Sequence, residues 1–336
     1  SYFVRKKSVF LCFFENQASM LQSGKTRRVL SLGGMVSIVV LVVVLFIRAS
    51  EDEAGQKDTA GHSRYVVTTV PIPAELDFAG ERTPLENFDV LEALDRELLI
   101  NTYWQSHTML LIKRANRHFP VIEKILKKHG IPEDFKYLPV AESDLMNQTS
   151  PASAVGYWQF LKSTALEYGL EVNSEVDERY HLEKSTEAAC KFLLRSYELY
   201  GSWTMTAASY NVGRTGLNRQ VDRQDSRYYY DILLNEETGR YVYRLLALKL
   251  ILSEPEKYGF ICDEDELYPP IPVYQVSIDT PIEDLATFAS TYSINYKVLK
   301  IFNPWLRDNK LSNTSGKTYH ISIPRSGYRE FTESAD

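Results

Sequence analysis

From residue 85 to residue 253 the apolar side chains recur at intervals of three and four, with no convincing strand between them. That spacing gathers them on helix faces, so this part of the chain is predicted to be a compact, mainly α domain. Phe88, Leu91, Leu94, Leu98 and Leu99 make the first stripe, and a pattern over 100–118 puts Trp104, Leu111 and Ala115 on one side. Pro120 suits the first turn of a new helix, with Val121, Ile122, Ile125 and Leu126 inward and Gly130 as its C-cap. Further helices are expected over 156–169, 185–200, 204–211 and 238–253.

One of these stripes contains an acid. If residues 134–145 are helical, Phe135, Leu138, Glu142 and Leu145 share a face. A carboxyl among apolar neighbours costs free energy unless it is paired, neutral or functional. Burial raises its pKa, as a general acid working near neutral pH requires. The alternative is an edge position in which Glu142 reaches water or an arginine. Pro139 within the pattern removes a backbone donor and is expected to kink the helix. Asp144 projects roughly 160° away from Glu142 and does not share its face.

The formal net charge of −6 argues against nucleic acid as a partner. The cysteines, Cys12, Cys190 and Cys262, form no CxxC pair, the histidines do not cluster, and no HExxH occurs. No metal or organic cofactor is implied. A bridge between Cys190 and Cys262 is one reading, two buried thiols the other. Residues 29–47 are apolar over a length that spans a bilayer as a helix. Lys25, Arg27 and Arg28 precede this run and Glu51, Asp52 and Glu53 follow it, which puts 1–28 in the cytoplasm and the rest outside it. No small-residue cleavage site closes the run, so it reads as an uncleaved anchor rather than a signal peptide. Met20 is a candidate start, which would leave 1–19 outside the native chain. Residues 48–84 read as an extended tether, with Pro71, Pro73 and Pro84 along it.

Four short motifs follow in order: Glu142-Ser143, Ser150-Pro-Ala, Gly156-Tyr-Trp-Gln159 and Ser209-Tyr-Asn-Val-Gly213. Together they resemble the series of soluble-lytic-transglycosylase, lysozyme-like domains, over residues 85–260. Asp177-Glu-Arg179 with Ser185-Thr186, and Glu237-Thr with Arg240-Tyr-Val242, are similar to the membrane-bound lytic murein transglycosylase D group. Tyr157 and Trp158 stand where many relatives have Leu and Met, and His181 and Gly239 also depart from the pattern. The resemblance implies a fold like goose-type lysozyme that cuts the β-1,4 bond between N-acetylmuramic acid and N-acetylglucosamine, leaving a 1,6-anhydro end. Ordinary glycosidases need two carboxyls. In the lytic cleavage that the resemblance implies, the sugar's own 6-hydroxyl is the nucleophile, so one Glu suffices.

The same resemblance assigns roles. Glu142 is acid and base, Ser143 supports the helix end, and Ser150 meets the substrate's N-acetyl region. Gln159 offers a donor and an acceptor to a sugar or to Glu142. Tyr210 orients Glu142 or steadies developing positive charge, and Asn211 bonds loop backbone near Gly213. Tyr157 and Trp158 stack on sugar faces or, as plain aromatics, pack in the core; the Tyr228-Tyr-Tyr230 run is a weaker groove candidate. A lysozyme-type hydrolase and a non-catalytic peptidoglycan-binding protein are the alternatives on the same scaffold.

After a linker over 261–271, residues 272–325 read as a small βααβ unit, followed by a tail over 326–336. A strand over 274–276 precedes Asp279-Thr280, a candidate N-cap for Ile282, Leu285, Ala286 and Ala289. A helix over 295–302 with Val298, Leu299 and Phe302 inward ends at Asn303-Pro304, and a strand over 319–324 closes the unit. Asp279-Thr280, Leu285-Ala286, Leu299, Asn303-Pro304 and Ile323-Pro324 resemble a LysM domain, with Ile278 in place of the usual Gly. That implies binding of N-acetylglucosamine-containing glycan; a packing module with no ligand is the bland reading. A single repeat would bind weakly and gain from its tether to the catalytic domain. The anchor and these domains together place the protein in a bacterial envelope, held by the inner membrane with its folded part in the periplasm.

Overall fold

The computed structural model describes residues 67–329. The apolar run 29–47 lies outside them, and among the described residues no helix is long and apolar enough to cross a membrane. The fold begins earlier than a tether ending at residue 84 would allow. Strands β1 (Asp77–Phe78) and β2 (Glu81–Arg82) pair antiparallel around Ala79 and Gly80, both at positive φ. The hairpin inserts Phe78, fully buried, edge-on against Phe135 at 5.4 Å between ring centroids. Lys249 Nζ donates to Asp77 O and to Asp134 Oδ2, each at 2.8 Å, and fastens the hairpin to the helices.

Helix α1 (Phe88–Tyr103) buries Val90, Leu94, Glu97, Leu98 and Asn101. Phe88 and Leu91, expected on the inner stripe, face solvent, because the buried face keeps Leu94 and Leu98 but is completed by Val90, Asn101 and a charged group, Glu97. The chain turns at Trp104, also exposed, into α2 (Gln105–Lys128), one continuous helix with Pro120 inside it. No new helix starts at Pro120. Pro120 and Asn116 are both exposed, so the Asn116 carbonyl left without an amide partner can turn to water.

A 3-10 turn (Glu133–Tyr137) leads into α3 (Leu138–Ser143). Pro139 therefore sits in the first turn of α3, where a missing N–H costs nothing, and it does not kink the helix. Then come α4 (Lys162–Glu167), α5 (Leu182–Tyr200), α6 (Trp203–Val212), α7 (Arg214–Gln224) and α8 (Glu236–Ser253). Helix α8 is buried along most of its length, with Tyr241, Val242, Leu245, Leu246, Ala247 and Ile251 in the core. It packs against α1, α3 and α6. Helix α6 starts on an anion: Glu81 accepts from the backbone N–H of Trp203 at 2.5 Å and of Thr204 at 2.9 Å.

The C-terminal unit is β3 (Val273–Ile278), α9 (Leu285–Thr291), α10 (Tyr296–Phe302) and β4 (Tyr319–Pro324). Its strands pair antiparallel from Val273↔Pro324 to Ile278↔Tyr319. The first helix is shorter than expected. Asp284, not Asp279, caps it, accepting from Thr287 N at 2.6 Å. The linker before it is held to α2: Tyr268 N donates to Lys113 O at 3.3 Å and Arg117 Nε to Pro269 O at 3.1 Å. Cys190 and Cys262 are both free thiols, the first buried and the second only half-buried.

Truncating Phe78 tests where the folded domain begins. Phe78→Ala should lower stability to denaturant by about 3–5 kcal/mol, as for other buried aromatics, whereas a change in a solvated tether would be nearly silent. A urea midpoint close to that of the unaltered chain would show that the hairpin is dispensable.

Candidate active site

Helix α3 is short, and its end is abrupt. Asp144 and Leu145 both take φ of 55°, so the chain reverses immediately after Glu142 and Ser143. Leu145 returns to the core with Phe135 and Leu138, all but fully buried, and Asp144 swings away to meet His107 Nε2 at 3.1 Å. Glu142 is left on the floor of a groove of about 660 Å³. One wall is the loop 150–161, with Ser150, Gln159 and Phe160; the other is built by Tyr210 and Asn211 of α6 and Glu237, Tyr241 and Arg244 of α8.

Tyr241 OH donates to Glu142 Oε1 at 2.6 Å. Burial pushes the Glu142 carboxyl up to about 7, with Glu237 adding to the rise; the Tyr241 hydrogen bond and the Arg244 charge oppose it. Arg244 also faces a second carboxylate. Glu97 is buried, accepts from Arg240 Nε at 2.6 Å, and lies 3.6 Å from Arg244 Nε. Burial also holds the Tyr241 phenol well above its usual range, so it remains a donor at every working pH. Sequence reasoning missed Tyr241. Its signal was the Arg240-Tyr-Val242 triplet, which sits in the apolar stripe of α8 and reads there as one more core aromatic.

The other expected residues divide. Ser143 Oγ lies 2.9 Å from Pro139 O and 2.8 Å from Tyr157 O, tying the end of α3 to the next loop. Ser150 lines the groove, and its Oγ accepts from Ala154 N at 3.1 Å, so it also closes its own turn. Gln159 lines the groove, but Nε2 donates to Gly156 O at 2.8 Å and to Gln148 O at 3.1 Å rather than to Glu142. Tyr210 borders the groove without bonding Glu142; its hydroxyl donates to Trp158 O at 2.7 Å. Asn211 Oδ1 accepts from Thr238 Oγ1 at 2.8 Å, joining α6 to α8 instead of bonding backbone near Gly213.

Tyr157 and Trp158 do not reach the groove. Residues 156–160 form a tight turn rather than the start of a helix, with Val155 bridged to Phe160 and Gln159 at φ 47°. The turn points Trp158 inward, fully buried, with Nε1 donating to Thr186 Oγ1 at 2.9 Å. It lays Tyr157 against His118, 5.2 Å between ring centroids. Tyr229 and Tyr230 are buried against Tyr243, and the Tyr229 hydroxyl donates to Thr238 O and Gly239 O, each at 3.0 Å. Among the described residues, no group of three or more His, Cys, Asp or Glu is placed to hold a metal ion.

Known proteins show similarity over both parts of the chain. Residues 119–233 match the family described as Transglycosylase SLT domain, and 274–327 match Soluble lytic transglycosylase C-terminal LysM-like domain. The chain is similar to the membrane-bound lytic murein transglycosylase D proteins of Escherichia coli strain K12 and of Escherichia coli O6:H1. Each is 29% identical over 258 residues, which cover 74% of this chain and 54% of the relative. The chain thus spans about half the length of those relatives.

Glu142 binds a proton in the folded state at a pH where the unfolded chain has lost it, since its pKa rises from 4.5 to about 7. Its contribution to stability is full below the unfolded pKa and is lost as pH rises through the folded one. Glu142→Gln should therefore be more stable than the parent above about pH 8, by about 3 kcal/mol, and nearly alike below about pH 4. Calorimetry at the two pH values checks the sign.

Proposed function

We propose that this chain, with its transglycosylase SLT domain followed by a LysM-like domain, is a peptidoglycan lytic transglycosylase. It would cleave the β-1,4 bond from N-acetylmuramic acid to N-acetylglucosamine and leave a 1,6-anhydro end. The observation that carries this reading is the Glu142 carboxyl, half-protonated near neutrality on a groove floor and oriented by Tyr241. In the first step Glu142 gives its proton to the bridging oxygen as the bond to the anomeric carbon breaks. The substrate's N-acetyl group steadies the positive charge that develops there. In the second step the 6-hydroxyl oxygen bonds to the anomeric carbon, and its proton returns to the Glu142 carboxylate. No water enters. Tyr241 holds one carboxyl oxygen and leaves the other for the sugar; its hydrogen bond strengthens once Glu142 is charged, which eases the first transfer. Ser150, Gln159 and Asn211 border the path a glycan would take.

A lysozyme-type hydrolase is the second reading, and Glu237 favours it. This second carboxylate lines the same groove, and hydrolysis with one acid and one base needs two. The two readings differ in product. Lytic cleavage leaves muropeptides one water lighter than hydrolysis does, so mass analysis of fragments from intact sacculi separates them.

For localisation, the reading is an inner-membrane anchor at 29–47 with the catalytic and LysM-like domains in the periplasm. Its support is the length of the apolar run and the basic residues ahead of it. The similar Escherichia coli proteins carry "membrane-bound" in their name. The LysM-like domain would bind glycan containing N-acetylglucosamine.

Glu142→Gln should lower turnover by roughly 10²–10⁴-fold, the usual worth of a positioned acid, while glycan binding persists. In the parent enzyme, kcat/KM should fall as pH rises through about 7, because the acid must carry its proton. Tyr241→Phe removes a hydrogen bond that favours the carboxylate, so this alkaline limb should move to higher pH. Titrating kcat/KM of parent and variant reads both; a limb that stays put would dismiss Tyr241 as a partner of the acid.

A further inference from the structure

The LysM-like domain is joined to the helical domain by more than a linker. Its core contains a residue from outside itself: Val176, almost fully buried, belongs to the same cluster as Leu285 and Leu299 and bridges to Leu306. Around Val176 the backbones pair. Asp177 N donates to Trp305 O at 2.9 Å, and Arg307 N donates to Glu175 O at 2.7 Å. Side chains extend the contact. Glu175 accepts from Ser312 N at 2.6 Å and Ser312 Oγ at 2.7 Å, and Glu171 accepts from Lys317 Nζ at 2.7 Å and Tyr319 OH at 3.0 Å. The Arg307 guanidinium lies 4.0 Å above the Tyr180 ring. Residues 171–181 of the helical domain are thus covered along one side by the C-terminal unit.

The other side of this segment holds a wall of the groove. Asp177 anchors Arg179 through Nε at 2.9 Å and Nη2 at 2.7 Å, with both residues buried. Arg179 Nη1 then donates to Phe160 O at 3.1 Å and Ser153 O at 3.3 Å. Gly156, at φ +82°, sits so close to this segment that a Cβ would lie 1.9 Å from Arg179 O. Asn147 Nδ2 donates to Tyr180 O at 3.1 Å. The loop that presents Ser150, Gln159 and Phe160 is therefore fixed from behind by residues whose own support is the C-terminal unit.

We infer that the LysM-like domain braces the active-site groove, acting through Asp177 and Arg179 as positioning residues for the loop 147–160. It does so besides any glycan it binds, and the inference rests on the groove being the glycan site proposed above. A loop held by one arginine and a few backbone acceptors loses its fixed geometry when the segment carrying that arginine is freed, because the ordering cost then falls on substrate binding. Glu142 and Tyr241 stand on α3 and α8; the loop meets the end of α3 through Ser143 Oγ and Tyr157 O, while the bond from Tyr241 to the acid does not involve the loop.

The test uses the full chain with Glu171→Ala, Glu175→Ala and Arg307→Ala combined; none of the three lines the groove. Amide hydrogen exchange follows residues 171–181 and 150–160. Kinetics use a soluble tetrasaccharide of alternating N-acetylglucosamine and N-acetylmuramic acid, and intact sacculi in parallel. The brace predicts faster exchange in both segments and a KM for the tetrasaccharide raised roughly tenfold, with kcat nearly kept and the alkaline limb unmoved. Faster exchange at 171–181 with 150–160 and the tetrasaccharide KM unchanged would overturn it. So would a loss confined to sacculi, which would make the domain a glycan-binding module alone. If the triple variant leaves 171–181 protected, Val176→Asp puts a charge into the C-terminal core and the same comparison decides. A parent chain that cuts neither substrate tells against the glycan-cleaving reading, while the exchange measurements still judge the brace.

Discussion

A carboxyl held between helices, with its pKa raised by burial, is the constraint around which this domain is built. The raised pKa of Glu142 comes chiefly from burial, and it persists only where the neighbours give the acid a hydrogen bond without pairing it to a full positive charge. Tyr241 supplies a bond without a charge. Arg244, the nearest cation in the groove, is itself engaged by Glu97, a buried carboxylate that also takes Arg240. The charges of α1 and α8 thus meet beside the groove, although Glu97 does not line it. An acid stabilised by a direct arginine would have been safer for the fold and useless as a proton donor near neutrality.

The local backbone explains how a helix of only one and a half turns can present that acid. Pro139 fixes the first turn, and the paired left-handed residues Asp144 and Leu145 stop the helix one residue after Glu142. Ser143 then binds the carbonyl of Tyr157, so the end of α3 and the facing loop are set by one hydroxyl. Left-handed residues without glycine are strained, and such strain gathers where a side chain must be aimed.

Much of this was legible in the sequence, and the failures have physical reasons. Glu142 could be found because an acid breaks an apolar period, and the groove residues Ser150, Gln159, Tyr210 and Asn211 because they lie in motifs of fixed order. Tyr241 could not be told from its neighbours, since a tyrosine in a core stripe looks the same whether its hydroxyl meets water, backbone or a carboxylate. Trp158 misled for the converse reason: it belongs to a motif, yet its indole fills the core and only its carbonyl serves the site. The hairpin at 77–82 was hidden by brevity, because two-residue strands carry no alternation to read. Pro120 looked like a helix start because sequence alone does not reveal that its side of α2 is wet. The C-terminal unit was recognised from its element order, but its contact with residues 171–181 depends on tertiary pairing that no local pattern encodes.

The clasp between Glu81 and the first turn of α6 has a mechanical side. Helix α6 carries Tyr210 and Asn211 at its opposite end, and the carboxylate that seats its beginning belongs to the strand by which the chain enters the domain. Tension along the incoming polypeptide would be met first by the Phe78 plug and the Glu81 clasp, before any of it reached the aromatic and amide at the groove rim. A domain pulled from its amino-terminal side would thus be gripped near its base, leaving the groove rim slack.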